Sequence, residues 1–209
     1  GQTLEHKIKT TSLSINEIID ITIQIAHGLA RAHKSQIIHR DIKPSNIIIT
    51  DDNEVKIIDF GLAKLSNWTI KSHEKLILGT LVYMSPEQIY GGKIDHRSDI
   101  WSLGVVLYEM LTGKLPFKGK YEEEIAYGIL NQKPELTTVF KSDIPLSIKW
   151  ILEKTLAKDP EHRYQHCDEI PVDIKILQTK NHAISEIILN SKDFKIKNKW
   201  LKKLTGHRF

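Results

Sequence analysis

Cys167 is the only cysteine in the 209-residue chain, so an internal disulfide is excluded and no cysteine-based metal cluster can form. A lone thiol of this kind reads as a buried structural side chain in a reducing compartment. Apolar runs are short. None approaches the roughly eighteen residues of a membrane span, and no charged-then-apolar leader opens the chain. A cytoplasmic protein, or the cytoplasmic part of a larger one, is therefore expected. The 11 glycines never stand two positions apart, so the G-x-G core of a phosphate-cradling loop cannot be drawn. No internal repeat or low-complexity stretch interrupts the sequence before its last thirty residues.

What remains is ordinary globular composition, 40% hydrophobic and 27% charged, enough for one sizeable core. The net charge of +4 is unevenly spread, because residues 180–209 hold eight Lys/Arg against two Asp/Glu. Residues 1–179 carry 22 basic and 24 acidic side chains, so the folded part is not basic. The expected organisation is one domain over 1–179 and a basic tail or linker over 180–209. From Lys192 the tail mixes lysines with Phe194, Ile196, Trp200 and Leu201. That pattern suits an anionic membrane surface or nucleic acid, but a solvated linker or terminal helix is the favoured reading. No specific nucleic acid is expected, and contact with a membrane surface through the tail is left open.

Ser14 followed by Glu17 forms a capping-box pattern, and Ile15, Ile18, Ile19, Thr22, Ala26, Leu29 and His33 then recur on one helical face. The spacing predicts a helix over 15–35. Asp99 to Leu111 is apolar nearly all round, which requires a helix buried on every side. Gly113 stops it and Pro116 prevents early resumption. Shorter helices are predicted over 122–130, 148–156 and 168–177, with Pro171 in the first turn of the last. The apolar stretches Ile47 to Ile49 and Val55 to Ile58 flank Asp51-Asp52-Asn53 and read as a hairpin. The fold class is therefore mainly α with a small β-hairpin.

That hairpin separates two motifs: His39-Arg40-Asp41-Ile42-Lys43-Pro44-Ser45-Asn46 before it, and Asp59-Phe60-Gly61 after it. It brings Asn46 and Asp59 together. Phosphoryl transfer is mostly positioning and charge neutralisation, and it needs oxygen ligands for magnesium and a carboxylate beside the attacking hydroxyl. Asp41 suits the carboxylate role, and Asn46 and Asp59 the metal role. Taken singly, each residue has a commoner reading as a turn or capping residue. Their joint placement reverses that.

These motifs, followed in order by Ser85-Pro86-Glu87, resemble those of a eukaryotic-type serine/threonine protein kinase, and bacterial kinases of this type are the most similar. The resemblance covers roughly residues 1–180 and implies the large C-terminal lobe of that fold, with ATP and Mg2+ as cofactors and protein Ser/Thr hydroxyls as substrates. Asp41 then orients the hydroxyl and accepts its proton. Lys43 faces the transferred phosphate, Asn46 and Asp59 hold magnesium, and Ile48 floors the adenine pocket. Thr80 bonds Asp41 and Lys43. It also shapes the peptide-docking surface, which favours protein over small-molecule substrates. His39, Phe60 and Gly61 complete the motifs. Glu87 pairs with Arg163, and Asp99 holds the catalytic-loop backbone. Arg40 marks enzymes switched by a phosphate on the activation segment, for which Ser66, Thr69 and Ser72 are candidates, Thr69 or Ser72 foremost. The family's glycine-rich loop, its phosphate-binding lysine and the glutamate that pairs with it have no counterpart here. The N-terminal lobe is thus expected to be missing, by truncation or natural loss, and the isolated chain to be inactive. A catalytically silent binding or scaffold module with the same fold is the alternative. Oligomeric state is not legible.

Overall fold

The structure is a computed structural model, and it describes residues 1–60, 78–135 and 146–176. Ser14 starts the first long helix as its spacing requires: the Ser14 amide donates to Glu17 Oε2 at 2.9 Å and the Glu17 amide to Ser14 Oγ at 3.3 Å. These bonds satisfy amides that the first helical turn leaves without partners. The helix, α2, runs Ile15–Lys34 and buries Ile18, Ile19, Ile21, Thr22, Ile25, Ala26, Leu29 and Ala30. It is preceded by a two-residue strand β1 (Gln2–Thr3) and a short helix α1 (Leu4–Thr10), whose His6 amide is capped by Thr3 Oγ1 at 3.2 Å.

Strands β2 (Ile47–Ile49) and β3 (Val55–Ile57) form the expected antiparallel hairpin, with Ile48 opposite Lys56. Asn53 turns the chain at φ +61°, a left-handed conformation that asparagine tolerates better than most residues. The expectation of a two-stranded hairpin needs one correction. Gln2 and Thr3 pair with Ile49 and Ile48, making a three-stranded antiparallel sheet in the order β1-β2-β3. A strand of two residues is too short to show a period-two pattern.

After the hairpin come α3 (Leu78–Leu81), α4 (Pro86–Tyr90) and α5 (Arg97–Thr112). Helix α5 is the apolar-all-round helix, with twelve of its sixteen residues buried. Gly113 ends it at φ +65°. Helices α6 (Glu122–Asn131) and α7 (Leu146–Thr155) follow, and residues 169–176 are also helical, with Pro171 in the first turn. Gly104 of α5 lies so close to α7 that an added Cβ would meet Thr155 Oγ1 at 2.5 Å. One contiguous core, from Leu4 to Ile174, joins these elements and includes the buried Cys167. Burial pushes that thiol well above its ordinary pKa, which keeps it protonated and structural.

Candidate active site

Residues 39–46 lie between α2 and β2, and α5 holds them. Asp99, fully buried in the first turn of α5, accepts from the His39 amide at 2.9 Å through Oδ2 and from the Arg40 amide at 2.8 Å through Oδ1. His33, at the end of α2, sits 2.7 Å from the same Oδ2 through Nε2, while its buried Nδ1 has no partner. Nε2 therefore carries the proton and donates to the carboxylate. His39 resolves in the same way. Its Nδ1 accepts from the Asp41 amide at 3.3 Å, so Nε2 donates to the Ile58 carbonyl at 2.9 Å. The His39 ring packs on Phe60 with centroids 4.7 Å apart.

The strand ends complete the cluster. Asn46 is buried, and its Nδ2 donates to the Asp41 carbonyl at 2.9 Å and to Asp41 Oδ2 at 3.2 Å. The amide oxygen of Asn46 is thereby left as the face available to a cation. The Ile58 amide donates to the Asn46 carbonyl at 3.0 Å, which sets the exposed Asp59 directly beyond the end of the hairpin. Lys43 Nζ lies 3.0 Å from Asp41 Oδ2 and donates to Thr80 Oγ1 at 3.0 Å. Asp41, Lys43, Asn46 and Thr80 thus form one connected network from two separate stretches of sequence. Ile48 is half-buried and lies on the opposite face of β2 from the buried Ile47 and Ile49.

Two backbone conformations in this cluster are costly. Arg40 holds φ +67° and Asp59 φ +57°, left-handed geometries that cost a side-chain-bearing residue about 1–2 kcal/mol each. They persist because the hydrogen bonds from Asp99, His39 and Asn46 over-determine the backbone around them.

Glu87 and Arg163 meet in a buried fork, with NH1 to Oε1 and NH2 to Oε2 both at 2.8 Å. Burial pushes the Glu87 carboxyl up. The Arg163 fork and the Ser98 hydroxyl more than offset this and hold it below its ordinary value. Arg163 also donates to the carbonyls of Ala157, Lys158 and Arg97, so its remaining N–H groups are satisfied.

A magnesium ion fits this donor set. Mg2+ takes one or two protein oxygen ligands and fills the rest of its octahedron with water and substrate phosphate oxygens. The Asn46 amide oxygen and the Asp59 carboxylate are of that kind. Among the described residues no group of three His, Cys, Asp or Glu is arranged to hold a metal. Gly61 and the hydroxyls Ser66, Thr69 and Ser72 lie outside the described residues, as does the tail 180–209. Among the described residues no helix is long and apolar enough to cross a membrane.

Reading the motifs missed two residues. Gln88 bridges Ser85 and the Arg40 carbonyl, and the Ser85-to-Gln88 spacing is itself a capping-box signature that could have found it. His33 was visible only as a member of a buried face; its contact with Asp99 spans 66 positions and leaves no local trace.

Helices thus surround a small three-stranded sheet, with Asp41, Lys43 and Asn46 interlocked beside its strand ends. The chain belongs to the protein kinase domain family, which matches residues 1–173. It is 39% identical to a probable serine/threonine-protein kinase of Clostridium acetobutylicum, over 89% of this chain and 28% of that protein. It is 40% identical to the serine/threonine-protein kinase PrkC of Bacillus subtilis, over 84% of this chain and 27% of that one. With PknB of Mycobacterium leprae the identity is 38%, over 83% and 28%. The chain thus spans little more than a quarter of the length of the curated relatives it matches.

Proposed function

We propose that these residues are the large-lobe half of a serine/threonine protein kinase that transfers the ATP γ-phosphate to protein Ser/Thr hydroxyls. The observation that carries this reading is the interlocked set Asp41, Lys43, Asn46 and Thr80. Lys43 and Asn46 both engage Asp41 Oδ2, which fixes the carboxylate and leaves Oδ1 to face an incoming hydroxyl. Asp41 orients that hydroxyl and takes its proton, and Lys43 neutralises charge on the moving phosphoryl group. When bound, Mg2+ neutralises the triphosphate; Asn46 and Asp59 hold it, and Ile48 lies under the adenine. Thr80 ties this cluster to the peptide-docking segment, in keeping with a protein substrate.

The domain extends over 1–179, and the basic residues 180–209 serve as a linker that a membrane surface can attract. The single cysteine supports a reducing, cytoplasmic setting. Arg40 has a buried Nε without a partner, which suits a guanidinium awaiting phosphate on the activation segment, with Thr69, Ser72 and Ser66 as acceptors. Intact mass of the chain joined to a small lobe, after incubation with Mg-ATP, tests this; no added phosphate in that active protein removes it. A silent kinase-fold binding module is favoured for this chain by itself, because it holds no G-x-G loop.

The decisive experiment joins the chain in frame to a small lobe carrying the glycine-rich loop and its lysine, and follows label transfer from radiolabelled ATP to a Ser/Thr-containing protein. Transfer is expected, falling about a thousandfold with Asp41→Asn. An Asp41→Asn protein that transfers label as fast as its parent removes Asp41 from the reaction.

A further inference from the structure

Gln88, the side chain that caps α4, reaches in two directions. Its Oε1 accepts from the Ser85 amide at 2.9 Å and from the Ser85 hydroxyl at 3.1 Å. Its Nε2 donates to the carbonyl of Arg40 at 2.9 Å, 48 positions away. Chemistry fixes which way round the side-chain amide sits, since a backbone N–H can only donate and a backbone carbonyl only accept. Arg40 immediately precedes Asp41 and holds the left-handed φ of +67°. Its amide is gripped by Asp99 at 2.8 Å. The strained residue is therefore clamped from both sides, by α5 at its N–H and by α4 at its C=O. The neighbouring Glu87 is locked to Arg163 at 2.8 Å, so α4 is itself firmly seated.

We propose that Gln88 is a positioning residue: by holding the Arg40 carbonyl it fixes the peptide plane that carries Asp41, and so makes the aim of the Asp41 carboxylate depend on α4 being docked. Capping alone needs only an acceptor at position 88, which glutamate supplies at least as well as glutamine. The donor toward Arg40 is a separate function that only the amide provides. When α4 leaves its seat the donor goes with it, the Arg40 carbonyl loses its partner, and the left-handed conformation loses the restraint at its C=O. Docking of the segment 78–90, which also carries Thr80, is thereby coupled to the geometry of the catalytic loop. The catalytic consequence rests on the kinase reading above; the clamp on Arg40 does not.

Gln88→Glu separates the two functions, since it keeps the cap and turns the donor into a carboxylate oxygen facing a carbonyl. Thermal unfolding and amide hydrogen exchange of the chain are the readouts. Gln88→Glu is expected to melt within about 2 °C of the parent. Its His39, Arg40 and Asp41 amides are expected to exchange about tenfold faster, with α2 and α5 unchanged. Gln88→Ala, which loses both functions, lowers the melting point and quickens the same amides. Exchange at residues 39–41 that matches the parent in Gln88→Glu overturns the proposal, as does quickening spread evenly through α2 and α5. In the chain joined to a small lobe, Gln88→Glu is expected to lower kcat about tenfold at unchanged KM for ATP; a rise in KM alone counts against positioning. A parent protein without activity, whose Gln88→Glu variant still shows the exchange difference, upholds the clamp and overturns the kinase reading instead.

Discussion

Arg163 and Glu87 carry full charges in the core, with side chains 0% and 3% exposed. Such a pair is a weak source of net stability while intact, because desolvation offsets most of its attraction, but losing one partner strands the other charge. Arg163→Ala is therefore expected to cost about 3–5 kcal/mol in urea unfolding. The double change Glu87→Met with Arg163→Met is expected to cost far less than Arg163→Ala, because no charge is left unpaired. The pH dependence has a definite sign. The folded-state pKa of Glu87 is depressed, so the pair's contribution is fully present above the unfolded carboxylate value, about 4.3, and is lost as pH falls through the folded value. Glu87→Gln should flatten stability against pH below about 4.3 while leaving the profile above it unchanged in shape. Glu109 has the opposite sense. Burial raises its carboxyl despite the Tyr83 hydroxyl donating at 2.7 Å, so its contribution is present at low pH and lost as pH rises through the raised value. Glu109→Gln keeps an acceptor for Tyr83 and should raise the melting temperature at neutral pH.

At the scale of elements, α5 packs tightly on α7 at Gly104. Gly104 is not there for its φ freedom but for its missing side chain, since a methyl group would meet Thr155 Oγ1 at 2.5 Å and Thr155 Cβ at 2.8 Å. Thr155 is buried and bonded to the Ile151 carbonyl at 3.0 Å, so it cannot rotate away freely. Gly104→Ala should cost roughly 1–3 kcal/mol by forcing the two helices apart, despite alanine's better helix propensity. Ser14→Ala, which removes the cap of α2, should cost about 1 kcal/mol. Both are read from urea midpoints. The same comparison shows which elements the sequence displays. Helices α2 and α5 are long enough to repeat their patterns and have Ser14 and Gly113 as start and stop, so their bounds could be read to within two residues. Strand β1 and helices α1, α3 and α4 span two to seven residues, too short for periodicity to emerge. Their presence depends on partners such as Ile49 for Gln2, which only the folded chain brings near. The contacts of Asp41 with Lys43 and Asn46 were legible for a different reason: the three residues fall within one short motif. The clamp from Gln88 and the support from His33 belong to packing, and packing between distant positions leaves no spacing to read.

At the scale of the whole molecule, the proposed reading gives Lys43, Asn46 and Asp59 a share in gripping a triphosphate, while the sequence given holds no G-x-G loop to cover the phosphates. Ligand stabilisation grows as RT ln(1 + [L]/Kd), so a nucleotide held from one side, with a dissociation constant above about 1 mM, adds less than about 0.4 kcal/mol at millimolar concentration. In a domain of this size that moves the melting point by less than about 2 °C. Mg-ATP at millimolar concentration should therefore leave the thermal transition of the chain almost unmoved. The chain joined to a glycine-rich small lobe should shift by several degrees, and Asp59→Ala in the joined protein should remove most of that shift. Scanning fluorimetry with and without Mg2+ separates the cases. A shift of several degrees in the unjoined chain, dependent on Mg2+ and abolished by Asp59→Ala, would mean that the face described here grips the nucleotide without a covering loop. The phosphate contacts would then have to be sought within this chain itself.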